Sequence, residues 1–196
     1  RPCDEPYIAL LAGSRKAEIS RMMPVCMEAA DRLGMTVLVA GAPSAAPEDY
    51  EPWLKGRSNV ELLFGRTYDI LKYADAAIVN SGTASLEAVL TGTPQVVCWS
   101  TSRLTSFAAT KALRVLRHIP YISLGNLCLG RQAFRELIQD GFTAEAVCSE
   151  VRRLTEDIPY RTAMLEDYAA VRELLGGAGA SRAVAAAMVE GLRFSR

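Results

Sequence analysis

Apolar and polar positions along the chain follow two different periods. Short apolar runs of strand length alternate with stretches in which apolar residues recur every three or four positions, as on one face of a helix. The runs predict six strands: Tyr7–Leu11, Met35–Ala40, Val60–Phe64, Ala76–Asn80, Gln95–Trp99 and Tyr121–Leu124. Between them, the spacing predicts helices over Glu18–Leu33, Asp49–Lys55, Tyr68–Tyr73, from the turn at residues 81–84 to Thr91, and over Leu104–Leu116.

After the sixth run the pattern is helical to the end of the chain. It predicts helices over Gln132–Gln139, Ala144–Glu156, Tyr160–Leu175 and, after a break at Gly176 and Gly177, Ala180–Leu192. Val184, Met188 and Leu192 form an apolar stripe on the last of these helices. We therefore expect the tail, residues 176–196, to pack on a further domain or a partner, and the chain to self-associate, for example as a homodimer.

Most of the predicted strands are apolar on both faces, which is typical of a parallel sheet covered by helices on both sides. Right-handed crossovers then give an α/β fold with a Rossmann-like doubly wound parallel sheet and the strand order 3-2-1-4-5-6. We expect residues 1–175 to form this domain. Because the chain does not begin with Met and a buried strand already starts at Tyr7, we also expect it to be part of a longer protein.

Two turns are candidate ligand contacts because they follow the two strands that flank the reversal of the strand order. The turn after the first strand comprises Gly13, Ser14 and Arg15, and the turn after the fourth comprises Ser81, Gly82, Thr83 and Ala84. Backbone N–H groups at a helix start bind phosphate, and a guanidinium can pair with a diphosphate. Because both turns face the same crevice in this order, they predict a site for a phosphate-bearing ligand.

Glu87 adds a carboxylate to this prediction. It lies one helical turn after Thr83 on the same face, where it can accept hydrogen bonds from the two hydroxyls of a ribose. Simpler interpretations stay open for each residue. Ser81 or Thr83 can be an ordinary helix N-cap, Arg15 a surface side chain, and Glu87 a carboxylate that favours the helix dipole.

The composition excludes several classes of protein. The chain has 22 basic and 22 acidic residues, which gives no global positive field for nucleic acid. No apolar run reaches the roughly 18 residues of a membrane-spanning helix. Five cysteines without a C-x-x-C pair indicate reduced thiols in a cytoplasmic protein, and a single histidine makes a metal site unexpected. The sequence contains no Walker, dinucleotide-fingerprint or nucleophile-elbow motif.

The zero net charge conceals a basic stretch. Residues 88–135 contain six basic side chains and no acidic one. On the predicted Leu104–Leu116 helix and its ends, four of these cations fall within about 120° of one another, with an aromatic residue among them. A face of this kind is typical of a helix attracted to an anionic membrane surface, although a solvated helix face explains the same residues. The residues are Arg103, Phe107, Lys111, Arg114 and Arg117.

Four blocks of sequence carry a family resemblance. They are L-x-A-G-S-R-K-x-E-I from Leu10, A-D-x-A-x-x-x-S-G-T-A-x-L-E from Ala74, P-Q-V-V-C-W from Pro94, and Y-I-S-L-x-N-L-x-x-G-R from Tyr121. They stand in the same order as in bacterial lipid-A-disaccharide synthase, and the chain resembles the carboxyl-terminal half of that family from about residue 5 to residue 192.

The resemblance implies a glycosyltransferase-B architecture, in which two Rossmann-like domains face each other across a cleft. It implies transfer of a 2,3-diacylglucosamine unit from a UDP-2,3-diacylglucosamine donor to a lipid X-type acceptor, 2,3-diacylglucosamine 1-phosphate. By resemblance, Arg15 and the turn at residues 81–84 hold the diphosphate, and Glu87 holds the ribose. Asn126 and Arg131 then line the donor pocket. The resemblance implies neither metal nor cofactor, since arginine and helix dipoles stabilise the departing UDP.

The same resemblance implies what this chain does not supply. The family's acceptor groove and acidic general base belong to its amino-terminal half, so we expect the isolated chain to bind nucleotide weakly and to transfer no sugar. Because both substrates carry acyl chains, it implies a cytoplasmic protein that is peripheral on the inner membrane.

Two alternatives stay open at this point. One is another enzyme of the same architecture that uses UDP-N-acetylglucosamine, such as the peptidoglycan N-acetylglucosaminyl transferase or a UDP-N-acetylglucosamine 2-epimerase. The other is a non-catalytic module that binds a nucleotide sugar.

Overall fold

The strands of the computed structural model, which describes residues 1–101, 121–176 and 179–194, form one sheet. Every pair of neighbours in it is parallel. The strands are β1 (Tyr7–Leu11), β2 (Thr36–Gly41), β3 (Val60–Phe64), β4 (Ala76–Asn80), β5 (Gln95–Trp99) and β6 (Glu136–Ile138). Their order is β3-β2-β1-β4-β5-β6, which confirms the predicted doubly wound α/β sheet.

Helices separate the strands and continue to the carboxyl-terminal end of the described residues. They are α1 (Lys16–Leu33), α2 (Glu51–Leu54), α3 (Thr67–Tyr73), α4 (Thr83–Thr91), α5 (Leu124–Leu129), α6 (Ala144–Glu156), α7 (Ile158–Leu175) and α8 (Ala180–Phe194). Single 3₁₀ turns lie at Pro47–Asp49 and Gln139–Gly141.

Local sequence explains where the long helices begin and end. Helix α1 ends at Gly34, which has a left-handed backbone (φ 65°) and donates its N–H to the carbonyl of Ala30 at 3.1 Å. The helix is not interrupted at Pro24, because this residue lies on the exposed side, where solvent can reach the carbonyl four residues earlier. At the start of α7, the Asp157 side chain accepts a hydrogen bond from the N–H of Tyr160 at 3.0 Å.

Both faces of the sheet are covered. In β1, Ile8 and Leu10 pack into a core with α1, α6 and α7, whereas Tyr7, Ala9 and Leu11 pack into a second core with α3 and α4. Burial of each large apolar side chain contributes about 1.5–3 kcal/mol to folding. With both faces covered by helices, the ends of the strands are where a ligand can reach the sheet.

The sixth strand does not lie where the apolar pattern predicts it. Ile122 and Ser123 form a bend and Leu124 begins α5, so the prediction of a strand over Tyr121–Leu124 is wrong. The predicted helix over Gln132–Gln139 is also wrong, because β6 lies within it and pairs with β5.

The cause is a set of contacts that are distant in sequence. The Glu136 carboxylate in β6 accepts hydrogen bonds from the backbone N–H groups of Ile122 and Ser123 at 2.9 and 3.0 Å, and from the Asn126 side chain at 2.9 Å. These bonds hold residues 122–126 beside the last strand. The local spacing of apolar residues gives no indication of such long-range bonds.

The last described residues, Ala180–Phe194, are helical, as the sequence predicts. Gly176 follows α7, and α8 presents Val184, Met188 and Val189 to solvent. No described helix is long and apolar enough to cross a lipid bilayer. The predicted Leu104–Leu116 helix falls outside the described residues, and so does its basic face of Arg103, Phe107, Lys111, Arg114 and Arg117.

Candidate ligand-binding site

A cavity of about 550 Å³ opens at the carboxyl ends of β1 and β4. The two strands pair directly, with Leu11 opposite Val79, so the turns that follow them are neighbours. Both turns line the cavity, as the strand order predicts. Its volume is in the range of pockets that bind small molecules and cofactors. The predicted residues that line it are Gly13, Ser14, Arg15, Ser81, Gly82, Thr83, Ala84 and Glu87.

The first turn leads from β1 into α1. Its glycine is required by the backbone, because Gly13 has φ +104° and an added Cβ would lie 2.8 Å from the Asn80 side-chain nitrogen. The Ser44 hydroxyl donates to the carbonyl of Ser14 at 2.7 Å and fixes the turn from the side of β2. The Arg15 side chain is mostly exposed and forms an ion pair with Glu18 at 3.0 Å.

The second turn leads from β4 into α4. The Ser81 N–H donates to the carbonyl of Cys98 at 2.9 Å, and the Ser81 hydroxyl donates to the carbonyl of Ile122 at 3.3 Å. Gly82 is the N-cap of α4, and no side chain caps this helix. The simpler interpretation of Ser81 or Thr83 as an ordinary N-cap therefore does not hold. The first residues of α4 line the cavity, and their N–H groups have no side-chain acceptor from the cap.

Two further polar side chains lie at the β4 side of the cavity. Glu87 is half-buried one turn into α4, where the sequence predicts it. Asn80, which sequence reasoning missed, is the last residue of β4 and is only 6% exposed. Within the described residues, no hydrogen bond is formed by the Asn80 side-chain amide or by the Glu87 carboxylate. Both groups line the cavity, and neither has a hydrogen-bond partner among residues 1–101, 121–176 and 179–194.

Two other lining residues were also missed by the sequence reasoning. Tyr68, near the start of α3, lines the cavity and is 64% exposed. Glu18 lies in the first turn of α1 and accepts hydrogen bonds from the N–H groups of Ser14 and Arg15. The signal for Tyr68 was its position four residues after the end of β3, at the same edge of the sheet, and for Glu18 its place three residues after the helix N-cap.

Asn126 and Arg131 are not brought into this cavity. Asn126 is fully buried, and its side chain donates to the carbonyl of Phe134 and accepts from the N–H groups of Ala133 and Phe134. Arg131 pairs with Asp167 at the surface. The structure thus gives both residues partners within the protein, away from the cavity lining.

The described residues contain no group of three or more His, Cys, Asp or Glu side chains placed to hold a metal ion. What the cavity does offer is the start of two helices, one guanidinium and two carboxylates around a single space. Helix starts and a guanidinium bind anionic oxygens, and a carboxylate binds hydroxyl groups. This donor set suits a ligand with both a phosphate part and a sugar part.

Comparison with known proteins gives a family match. Residues 2–175 match the family model described as lipid-A-disaccharide synthetase. Lipid-A-disaccharide synthase from Trichlorobacter lovleyi is 36% identical over 184 residues, which cover 91% of this chain and 47% of the relative. The enzyme of the same name from Myxococcus xanthus is 37% identical over 193 residues, which cover 95% of this chain and 49% of the relative. The chain thus spans about half the length of these curated relatives.

Solved structures agree with the fold. The spinosyn forosaminyltransferase SpnP superposes with a TM-score of 0.59 at 16% identity, covering 96% of this chain and 44% of the other. A putative UDP-N-acetylglucosamine 2-epimerase from Listeria monocytogenes gives a TM-score of 0.54 at 15% identity, covering 83% of this chain and 39% of the other. At these identities the likeness shows a shared fold and nothing finer.

Proposed function

Because the chain belongs to the lipid-A-disaccharide synthetase family, we propose that it is the donor-binding half of a glycosyltransferase of lipid A biosynthesis. The donor is UDP-2,3-diacylglucosamine, and the acceptor is the lipid X-type 2,3-diacylglucosamine 1-phosphate. The reaction transfers the diacylglucosamine unit from UDP to the acceptor and gives the lipid A disaccharide. The name of the relatives and the cavity between the two turns support this proposal.

The single observation that carries the proposal is the convergence of both turns on one cavity with Glu87 at its side. The diphosphate binds where the starts of α1 and α4 and the Arg15 guanidinium meet. These groups favour negative charge, and the charge on the diphosphate increases as the bond to the sugar breaks. The same groups therefore stabilise the departing UDP without a metal ion.

The nucleoside takes up the remaining sides of the cavity. The Glu87 carboxylate accepts hydrogen bonds from the ribose hydroxyls, and the Asn80 amide, nearly buried beside Gly13, binds an oxygen of the ligand. The exposed ring of Tyr68, which also lines the cavity, gives the base an apolar surface. This arrangement binds and orients the donor, and the acidic general base belongs to a part of the enzyme outside this chain.

The proposal extends to partners that the described residues do not include. The isolated chain binds nucleotide weakly and transfers no sugar, because the acceptor groove lies in the other half. The exposed Val184, Met188 and Val189 on α8 pack on that half or on a second copy in a homodimer. We propose that the basic sequence from Arg103 to Arg117 attracts the enzyme to the anionic surface of the inner membrane.

Calorimetric titration of UDP tests the site. We expect Glu87→Ala to lower the affinity for UDP by about tenfold or more, the size of a lost hydrogen bond to a charged group, and to leave inorganic pyrophosphate binding unchanged. Arg15→Ala lowers the affinity for both ligands. Glu173→Ala, at an exposed position on α7, is the matched control and binds like the unchanged chain.

A second assay separates an enzyme from a binding module. Adding the amino-terminal half of a relative to this chain restores disaccharide formation if the chain is half of a transferase. Binding of UDP with no activity in that mixture indicates a nucleotide-sugar-binding module. Equal affinity for UDP in the unchanged chain and both site variants contradicts the proposed site.

A further inference from the structure

The charge of the cavity is unexpected for a site that binds a diphosphate. Among its described lining residues, Arg15 is the single base, whereas Glu18 and Glu87 are acids. Glu87 has a role toward the ribose in the proposed function. Glu18 has none, although its carboxylate lies at the turn that we assign to the diphosphate.

Glu18 uses the same donors that an anionic ligand needs. Its Oε2 accepts the N–H of Ser14 at 3.0 Å and the N–H of Arg15 at 3.3 Å, and its Oε1 pairs with the Arg15 guanidinium at 3.0 Å. A Cβ on Gly13 would lie only 2.6 Å from Oε2, so the carboxylate lies against the backbone at the end of β1. Two backbone N–H groups and a guanidinium around one anion form the typical surroundings of a bound phosphate oxygen.

We propose that Glu18 is an internal competitor for the diphosphate. Its carboxylate and the phosphate oxygens of the nucleotide sugar contend for the N–H groups of Ser14 and Arg15 and for the Arg15 guanidinium. The inference rests on the proposed function, and it assigns Glu18 to the control of affinity at the same site. By weakening the hold on UDP, Glu18 speeds release of this product after transfer.

The same contacts also have an ordinary structural use. A glutamate three residues after the N-cap often accepts the N-cap N–H and stabilises the helix start, as in a capping box. The two roles predict opposite results for ligand binding. If Glu18 only supports the turn and the phosphates bind away from it, its loss leaves the affinity for a diphosphate unchanged or lowers it. If Glu18 competes, removing its charge raises that affinity.

Glu18→Gln is the variant that separates the two roles. It keeps a carbonyl oxygen that can accept the two backbone N–H groups, and it removes the charge. Glu28→Gln is the matched control, because Glu28 lies on the same helix and its ion pair, with Arg32, is on the exposed surface. Binding of UDP, inorganic pyrophosphate and uridine to the 196-residue chain and both variants is measured by calorimetric titration.

We expect Glu18→Gln to bind UDP and pyrophosphate about five- to tenfold more tightly than the unchanged chain, as for one elementary charge removed a few ångströms from the ligand at a partly solvated site. Uridine, which has no phosphate, binds with unchanged affinity. Glu28→Gln binds all three ligands like the unchanged chain. An affinity of Glu18→Gln for UDP that is equal or lower overturns the inference and leaves the proposed function in place.

A measurement on the unchanged chain covers the case in which Glu18→Gln does not fold. If the phosphates displace the carboxylate, the backbone amide resonances of Ser14 and Arg15 shift as UDP saturates the chain. If UDP binds and these two resonances stay in place, the inference is overturned. If neither UDP nor pyrophosphate binds at millimolar concentration to any form, the proposed function fails, and the inference fails with it.

Discussion

Replacement of Asn126 by alanine tests whether this residue serves the donor pocket or the interior of the fold. The family resemblance implies a place in the pocket, whereas the structure shows a fully buried side chain with four hydrogen bonds. Its amide donates to the carbonyl of Phe134 and to the Glu136 carboxylate, each at 2.9 Å. Its oxygen accepts the N–H groups of Ala133 at 2.8 Å and Phe134 at 3.2 Å.

The structure sets the size of the expected effect. Asn126→Ala leaves two buried backbone N–H groups and one buried carbonyl without a partner, and each costs about 1–3 kcal/mol. Water that enters the space left by the amide offsets part of this loss. We therefore expect the free energy of unfolding to fall by about 3–5 kcal/mol, a large share of the 5–15 kcal/mol typical of a domain.

Urea unfolding followed by circular dichroism gives the free energy, with Asn59→Ala as control. Asn59 makes a single side-chain hydrogen bond, to the carbonyl of Met35 at 3.1 Å, in a half-buried position. Its loss is expected to cost about 1 kcal/mol. The affinity of Asn126→Ala for UDP is then measured at a temperature at which the variant is still folded, and we expect it to lie within about twofold of the unchanged chain.

One combination of results would refute this reasoning. If Asn126→Ala unfolds with a free energy within about 1 kcal/mol of the unchanged chain and loses affinity for UDP, the amide contacts the ligand. The network with Phe134 and Glu136 would then not be what keeps this residue in place.

Three other outcomes follow from the structure. Tyr68→Ala is expected to weaken UDP binding by about tenfold in calorimetry, the size of a lost base-stacking contact, while Tyr73→Ala, at an exposed position on the same helix but not lining the cavity, leaves it unchanged. Burial raises the pKa of Tyr7 from 10.0 to about 12, so the stability that this group contributes is complete below pH 10 and is lost as the pH rises through 12. Tyr7→Phe should therefore lower the slope of unfolding free energy against pH in that window, and an unchanged slope would contradict the assignment. In the folded chain, the exposed thiol of Cys128 is expected to react with iodoacetamide while that of Cys26, whose pKa is raised by burial, reacts only after unfolding, as peptide mass spectrometry can show.

The parts of the fold that depend on local pattern could be predicted from the sequence. Runs such as Tyr7–Leu11 and Ala76–Asn80 are buried on both faces, so their composition alone marks them as central parallel strands. Once their order was assigned, the rule that ligands bind at the strand ends was enough to place the turns after them together. The convergence of Arg15 and Gly82 on one cavity is a consequence of topology. The topology could be predicted because strand and helix patterns alternate along the sequence.

The parts that depend on single long-range contacts could not be predicted. Strand β6 has three residues and carries a charged side chain, Glu136, whose partners Ile122 and Ser123 are 14 and 13 residues earlier. The apolar Tyr121–Leu124 run was predicted to be a strand because the spacing of apolar residues carries no information about the tertiary contacts of a segment. The same limit applies to Asn126, since a motif shows which residue is present and not whether its amide faces a ligand or the protein interior.

The hydrogen bonds around Glu136 connect the edge of the sheet to the turn at residues 81–84, which we propose binds the diphosphate. Strand β6 is last in the strand order, its carboxylate holds the N–H of Ile122, and the carbonyl of Ile122 receives the hydroxyl of Ser81. A three-residue strand at the edge of a sheet opens more readily than the central strands. The turn at Ser81 is therefore linked to a part of the fold that opens easily. A ligand that binds at Ser81 should therefore slow amide hydrogen exchange at residues 136–138. Exchange at this strand then reports ligand binding without a signal from the ligand itself.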